Sequence, residues 1–414
     1  MMRRSLRLLA AFPLLAAAQM QSPLKTAAMS TDQKIAAMEK TSSADPRDRR
    51  VKVDLAFLYL QKGREAADFH YLDLATNITN ALLDQDSGDM LARRLDNEIN
   101  MMKHEFRRVA TSAEDLTRLA PSDPGPWGNL GDALMELGEY ERAGQAYQRM
   151  FAARPGLESY NRLAYFKFVT GDAAGAVQLM KLAIEAGSRI PEPVAWCYNE
   201  LGDMFFKTGR IEEARAAYLQ AIHLFPAAHK AHYGLGRVMA GEGKLTEAAV
   251  SVKRAQSIVP LVEYAGELEQ IYKHLGKPDE ARKQQALIDV VDKLSRARGE
   301  TANRVLALIY IDEDRKLDYA AQLAENELEN RNDVYTFDAL SWVYYAQKLF
   351  DEAAKMSEKA LRFRTAEPAF YYHAGMIAAA QGRGDEAKQL LRRALELNPR
   401  FDLNHAPEAA RLAN

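Results

Sequence analysis

The 414-residue chain carries 55 Lys and Arg against 57 Asp and Glu, a formal net charge of −2, and is 48% hydrophobic and 27% charged. That composition excludes wholesale disorder, and the balanced charge excludes an electrostatic nucleic-acid binder. The single cysteine, Cys197, excludes an intramolecular disulfide framework and a Cys-based structural zinc site.

Residues 1–22 read as a secretory signal peptide. Arg3, Arg4 and Arg7 form a positive n-region, residues 8–18 are an eleven-residue apolar run, and Ala16, Ala17 and Ala18 supply the small residues of a cleavage site. Eleven apolar residues are too few for a membrane-spanning helix, which needs about 20. No cysteine follows the run, which argues against a lipoprotein. Cleavage after Ala18 removes three arginines and leaves a mature chain of charge −5, expected to be exported to the periplasm or secreted. Residues 19–48 are small and polar and read as a flexible tether with one short helix around 33–40. No later stretch has transmembrane length.

The rest of the chain repeats itself. In residues 124–156, Trp127, Leu130, Gly131 and Leu134 recur at helical spacing, Gly138 breaks the run, and Tyr140, Ala143, Tyr147 and Met150 form a second stripe closed by Pro155. The same template fits Leu201, Gly202, Gly209, Ala214, Tyr218, Ala221 and Pro226. It fits Leu235, Gly236, Gly243, Ala248, Ala255 and Pro260, and again Gly375, Gly382, Ala387, Leu391, Ala394 and Pro399. Weaker copies fill the gaps, so that units start near 90, 124, 157, 195, 229, 262, 301, 334 and 368, at spacings of 34, 33, 38, 34, 33, 39, 33 and 34. A period held over so long a stretch is the mark of a repeat architecture.

This pattern resembles the tetratricopeptide repeat family, whose unit is a helix–turn–helix of 34 residues. The resemblance implies an all-α fold: an α-solenoid, a right-handed superhelix of about ten units over residues 49–401, closed by a capping segment at 402–414. The first unit departs from the template. Its first helix is expected over 51–61, ending at Gly63, and the segment that follows is about seven residues too long. Two other junctions, 188–193 and 290–299, also carry extra residues. Within each unit, small residues at the eighth position (Gly131, Gly202, Gly236, Gly375) and the twentieth (Ala143, Ala214, Ala248, Ala387) let two helices approach closely. The glycine at position fifteen ends the first helix, where a left-handed backbone costs nothing without a Cβ. In the cap, Leu403, Ala406, Ala410 and Leu412 are expected to cover the last unit while Asp402, Glu408 and Arg411 face water.

These segments leave no room for a catalytic domain, and no enzymatic activity, cofactor or metal is expected. Gly241, Glu242, Gly243 and Lys244 lack the spacing and the Ser/Thr of a phosphate loop. His229 and His232 have a spacing compatible with one metal, but no carboxylate completes the set, and His232 occupies a packing position held by aromatics elsewhere. Asn77-Ile78-Thr79 matches a glycosylation acceptor only formally, and Cys197 sits in a helix with no nearby histidine to activate it.

In the resembling family the first helix of each unit lines a concave face that receives extended peptides. Carried over by position, that face holds Asn161, Tyr165, Phe168, Trp196, Asn199, Asp203, Phe206, Lys230, Tyr233 and Arg237. Tyr335, Trp342, Tyr345, Tyr372 and His373 form a rival aromatic group. Asn amides pair with peptide backbone, and aromatics add contact area at low entropy cost. Lys230 is followed by Gly234 where a chaperone-tail clamp needs Arg, so that ligand is not supported. The expectation is a protein-binding scaffold of the cell envelope or periplasm. An envelope glycan- or peptide-binding protein and an accessory subunit of a membrane transport or assembly complex remain open.

Overall fold

The computed structural model describes residues 29–66, 68–297 and 300–414, which form 22 α-helices and no strand. The expected signal peptide lies outside the described residues. From Met90 onward the helices pair as A and B helices of successive repeats, for instance Pro124–Glu136 with Tyr140–Ala153 and Pro191–Lys207 with Ile211–Leu224. The fold is an α-solenoid. No described helix is long and apolar enough to cross a membrane.

One corner geometry ends nearly every A helix. Gly138, Gly171, Gly209, Gly243, Gly276 and Gly382 all have φ between 65° and 94°. At each, the N–H of the next residue reaches back to a carbonyl five residues earlier, as in Glu139 N to Leu134 O and Arg210 N to Phe205 O, both 2.9 Å. These are Schellman caps, which satisfy carbonyls orphaned at the helix end. Where the repeat lacks glycine the corner persists with His104 and Lys348, each at φ 63°. Opposite the corner, Ala143, Ala176, Ala214, Ala248 and Ala353 are fully buried. A Cβ on Gly131 would lie 2.3 Å from the Tyr147 ring, which is why the eighth position stays small.

The chain divides into two compact units: residues up to Arg162 with Gly187–Ile190, and Leu163–Ala186 with Pro191–Asn414. In the first unit, the segment expected as a tether contains the 14-residue helix Thr31–Ala44, opened by a capping box between Ser30 and Gln33. This helix docks on Arg49–Ala66: Ile35 is buried, the Tyr59 hydroxyl donates to Glu39 at 2.7 Å, and Thr31 donates to Glu65 at 2.8 Å. Gly63 does not end the first A helix, which continues to Ala66. In the C-terminal cap, helix His405–Leu412 buries Ala406 and Ala409, followed by Ala413, while Ala410 is exposed.

The second unit closes on itself. The carbonyl of Phe363 sits 2.3 Å from where a Cβ on Gly171 would lie, and that of Leu397 sits 2.5 Å from the same point on Gly209. Beside each, one side chain donates to the A-helix end: Thr365 Oγ1 to Val169 O at 2.6 Å, and Asn398 Nδ2 to Phe206 O at 2.8 Å. The B-helix ends of the 334 and 368 repeats thus meet the corners of the 157 and 195 repeats in the same way, five units apart.

Candidate functional site

The ninth residue of an A helix faces the sixth residue of the next, and this relation organises the A-helix face. In the first unit Glu98 accepts from Asn129 Nδ2 at 2.6 Å, and Asp132 pairs with Arg162 at 2.9 Å with both side chains buried. Tyr147 donates to Asp132 at 2.9 Å from the facing B helix. Burial pushes the Glu98 carboxyl up to about 7, against the Asn129 hydrogen bond and the charges of Arg64 and Arg162. Burial alone would lower the Arg162 guanidinium, but Asp132 more than offsets this and holds it above its ordinary range.

In the second unit the ladder changes character. Tyr218 donates to Asp203 at 2.6 Å, repeating the Tyr147–Asp132 pair at the same fifteen-residue separation. The sixth residue of the following repeat is Gly234, where a Cβ would lie 2.4 Å from Tyr218, so the next A helix offers Asp203 no side chain from that position. Its charge acts on Glu200, Lys207 and Arg237, with Lys230 acting on Glu200 and Glu267 on Arg237. Burial and the Asp203 charge raise the Glu200 carboxyl to about 7, against Lys230 and Lys207. Burial likewise raises Glu267 to about 7, against Arg237. Lys207 pairs with Glu367 at 2.8 Å and lies 5.4 Å from the Phe168 ring centre and 5.3 Å from that of Tyr335. Arg237 stacks on Phe206 at 4.4 Å and donates to the Phe401 carbonyl at 3.4 Å.

The ten residues expected on an open groove are therefore divided. Asn161 belongs to the first unit and is buried. Phe168, Asn199 and Phe206 are also buried, at 2%, 3% and 2% exposure, with Lys207 over the Phe168 ring and Arg237 over that of Phe206; they are not on an open face. Tyr165, Trp196, Asp203, Lys230, Tyr233 and Arg237 stay partly exposed. Asn199 Nδ2 donates to Glu200 at 3.3 Å and Asp203 at 3.4 Å, while its Oδ1 receives no hydrogen bond. The rival aromatics do converge. Trp342 stacks between Tyr345 (4.7 Å) and His373 (4.4 Å) and donates to Asp312 at 3.1 Å. Tyr372 stacks on His405 of the cap at 4.5 Å, and Tyr335 packs apart from them against Phe370. His373 meets Asp338 at 3.0 Å; burial would lower its pKa, and the Asp338 charge raises it above the ordinary value.

His229 and His232 turn to different partners, the Tyr264 hydroxyl at 2.7 Å and the Pro226 carbonyl at 3.1 Å, and burial pushes His229 down to about 3. Cys197 is buried. Two features were missed from the sequence. The Asp–Tyr pairs at a separation of fifteen are a readable signal. The seating of residues 398–404 on the A helices leaves no comparable trace.

Tetratricopeptide repeat profiles match residues 104–158 and 199–261, residues 157–227, residues 334–366 and residues 368–401. No curated protein matches the sequence at a significant level. Among solved structures, the chain is similar to a human IFIT1 dimer with PPP-AAAA, at 13% identity over 89% of this chain and 86% of that one, with a TM-score of 0.48. It is similar to PilW, described as a widely conserved type IV pilus biogenesis factor, at 19% identity over 49% of this chain and 93% of that one, TM-score 0.43. Yeast Tom70 matches at 14% identity over 92% of each chain, TM-score 0.37.

Proposed function

Since this chain belongs to the tetratricopeptide repeat family, we propose that it is a non-enzymatic scaffold that binds extended segments of partner proteins on its A-helix face, acting in the cell envelope or periplasm after loss of residues 1–18. The observation that carries the reading is in the second unit, where a non-helical stretch of the chain itself, residues 398–404, is held on A helices through a main-chain carbonyl and side-chain amides. The same groups would hold a foreign segment: amides and Arg237 for its backbone, aromatic rings for its side chains. The envelope location is supported by Arg3, Arg4, Arg7 and the apolar run that follows them.

Affinity capture from envelope extract with the mature chain, followed by calorimetry with the captured partner, tests this reading. Trp196→Ala and Lys230→Ala, both at partly exposed second positions, should weaken binding by about 1–2 kcal/mol with unchanged melting. Unchanged affinity in both would remove the A-helix face from the binding surface. N-terminal sequencing that finds Met1 retained would remove the location.

A further inference from the structure

We propose that His405 is an acid-tightened latch: charged, it ties the cap helix to the A helix of the 301 repeat through Asp312, and neutral, it releases that tie.

His405 opens the cap helix His405–Leu412. Its ring stacks on the Tyr372 ring of the 368 A helix, with centres 4.5 Å apart and planes at 19°. It meets Trp342 of the 334 A helix edge-on at 5.8 Å. Nε2 faces Asp312, the last residue of helix Arg304–Asp312, at 3.7 Å, and Nδ1 faces Asp402 at the same distance. A neutral imidazole has one N–H and one lone pair, so one of the two carboxylates always meets a lone pair. The imidazolium presents an N–H to both. At 3.7 Å neither contact is a hydrogen bond, so the pairing depends on charge. The Tyr372 face favours the same state, because an aromatic face attracts a cation.

Each element packed against the ring brings its own charges. On the 368 A helix, His373 lies 6.2 Å away, ring to ring, but pairs with Asp338 at 3.0 Å, which offsets its repulsion. The Tyr372 hydroxyl donates to Glu408 of the cap helix at 2.7 Å, and Glu408 pairs in turn with Arg411 at 3.5 Å. On the 334 A helix, burial and the Glu408 charge push Tyr345 above its ordinary value, so it stays neutral. Burial would raise Asp402, but the His405 charge, the N–H groups of His405 and Asn404, and the Arg237 charge hold it below its ordinary range. Asp402 acts in turn on Glu267 of the 262 A helix. Burial pushes Asp312 up, and the His405 charge is the foremost influence drawing it back, followed by the Trp342 N–H at 3.1 Å.

Histidine changes charge between pH 5 and 8. The pairing is therefore present on the acid side of that range and lost on the alkaline side. Asp312, raised by burial, takes up a proton sooner than an ordinary carboxylate as pH falls further, so the latch is tightest in mild acid. Only the cap helix responds. The segment leading to it is held by contacts that need no charge: Asn398 donates to the Phe206 carbonyl, Phe401 is buried, and Asn404 donates to Gln270.

The test is hydrogen exchange of the full chain at pH 5.5 and pH 8, expressed as protection factors so that the intrinsic pH dependence of exchange drops out. In the wild type, protection of the cap-helix amides should fall about three- to tenfold from pH 5.5 to pH 8, while helix Gly384–Leu397 keeps its own. His405→Gln and, separately, Asp312→Asn should remove that dependence, and the double variant should be no weaker than either single one. Asp338→Asn should leave the dependence in place, which separates His405 from the His373 pair beside it. If His405→Gln leaves the cap unprotected at both pH values, Asp312→Asn decides, because it keeps the ring and its stack on Tyr372. The proposal is overturned if wild-type cap protection is equal at the two pH values, or if Asp312→Asn keeps the wild-type dependence. Loss of the dependence in Asp338→Asn alone would assign it to His373 and overturn the proposal as well.

Discussion

Substitution of alanine for two glycines in equivalent corners separates what the corner requires from what superhelical closure requires. Gly209 and Gly382 have nearly the same backbone, φ 72° and 76°. Each alanine therefore pays a left-handed penalty of about 1 kcal/mol. The surroundings differ. A Cβ on Gly382 meets nothing within 4 Å, whereas on Gly209 it would lie 2.5 Å from the Leu397 carbonyl oxygen and 3.5 Å from its carbon. That carbonyl is backbone and cannot rotate away, so relief requires the last repeat to move, at the roughly 1–3 kcal/mol typical of overpacking. Gly382→Ala should thus cost about 1 kcal/mol and Gly209→Ala about 2–4 kcal/mol. Urea denaturation followed by circular dichroism gives the comparison, best expressed as midpoints because repeat arrays need not unfold in one step. Hydrogen exchange adds a local reading: Gly209→Ala should deprotect residues 398–404, and Gly382→Ala should not. Equal losses, or an unprotected tail in both, would mean that the 195 corner and the 368 repeat do not touch in solution.

Ala214 is fully buried against its partner helix, and Ala214→Leu should cost roughly 1–3 kcal/mol in the same melts. Asp132→Asn leaves the Arg162 guanidinium buried beside a neutral amide and should destabilise by about 3–5 kcal/mol, whereas the double change Asp132→Leu with Arg162→Met should recover most of that loss. Glu98 binds a proton in the folded chain up to about pH 7 but releases it near 4.5 when unfolded, so its contribution falls as pH rises between those values, by at most about 3 kcal/mol. Glu98→Gln should flatten that part of the stability–pH curve, read by thermal melts from pH 4.5 to 7.5. His373 has the opposite chemistry: its pKa is raised by Asp338, so the pair stabilises below the imidazole's unfolded pKa and loses that effect as pH rises through the folded one. Asp338→Asn should therefore cost more at pH 5.5 than at pH 8.

The repeat was legible because its signals are local and imposed by sterics. A left-handed corner selects glycine, a close helix pair selects glycine against alanine, and both recur at one spacing. Where Lys348 or His104 stands in the corner the turn survives, because packing on both sides of it outweighs a penalty of about 1 kcal/mol for a side chain at positive φ. The docked helix Thr31–Ala44 was only partly visible: its polar composition reads as tether, while its capping box Ser30-x-x-Gln33 is a start signal that outweighs the composition. The groove was read as a set of exposed positions, and Asn161, Phe168, Asn199 and Phe206 among them are buried. Phe206 was read as a ligand-facing position, yet the Asn398 amide that meets its carbonyl comes from nearly 200 residues away. The Asn398 amide on the Phe206 carbonyl and the Leu397 carbonyl on Gly209 require no particular residue type on one side, so no pattern in the sequence announces them.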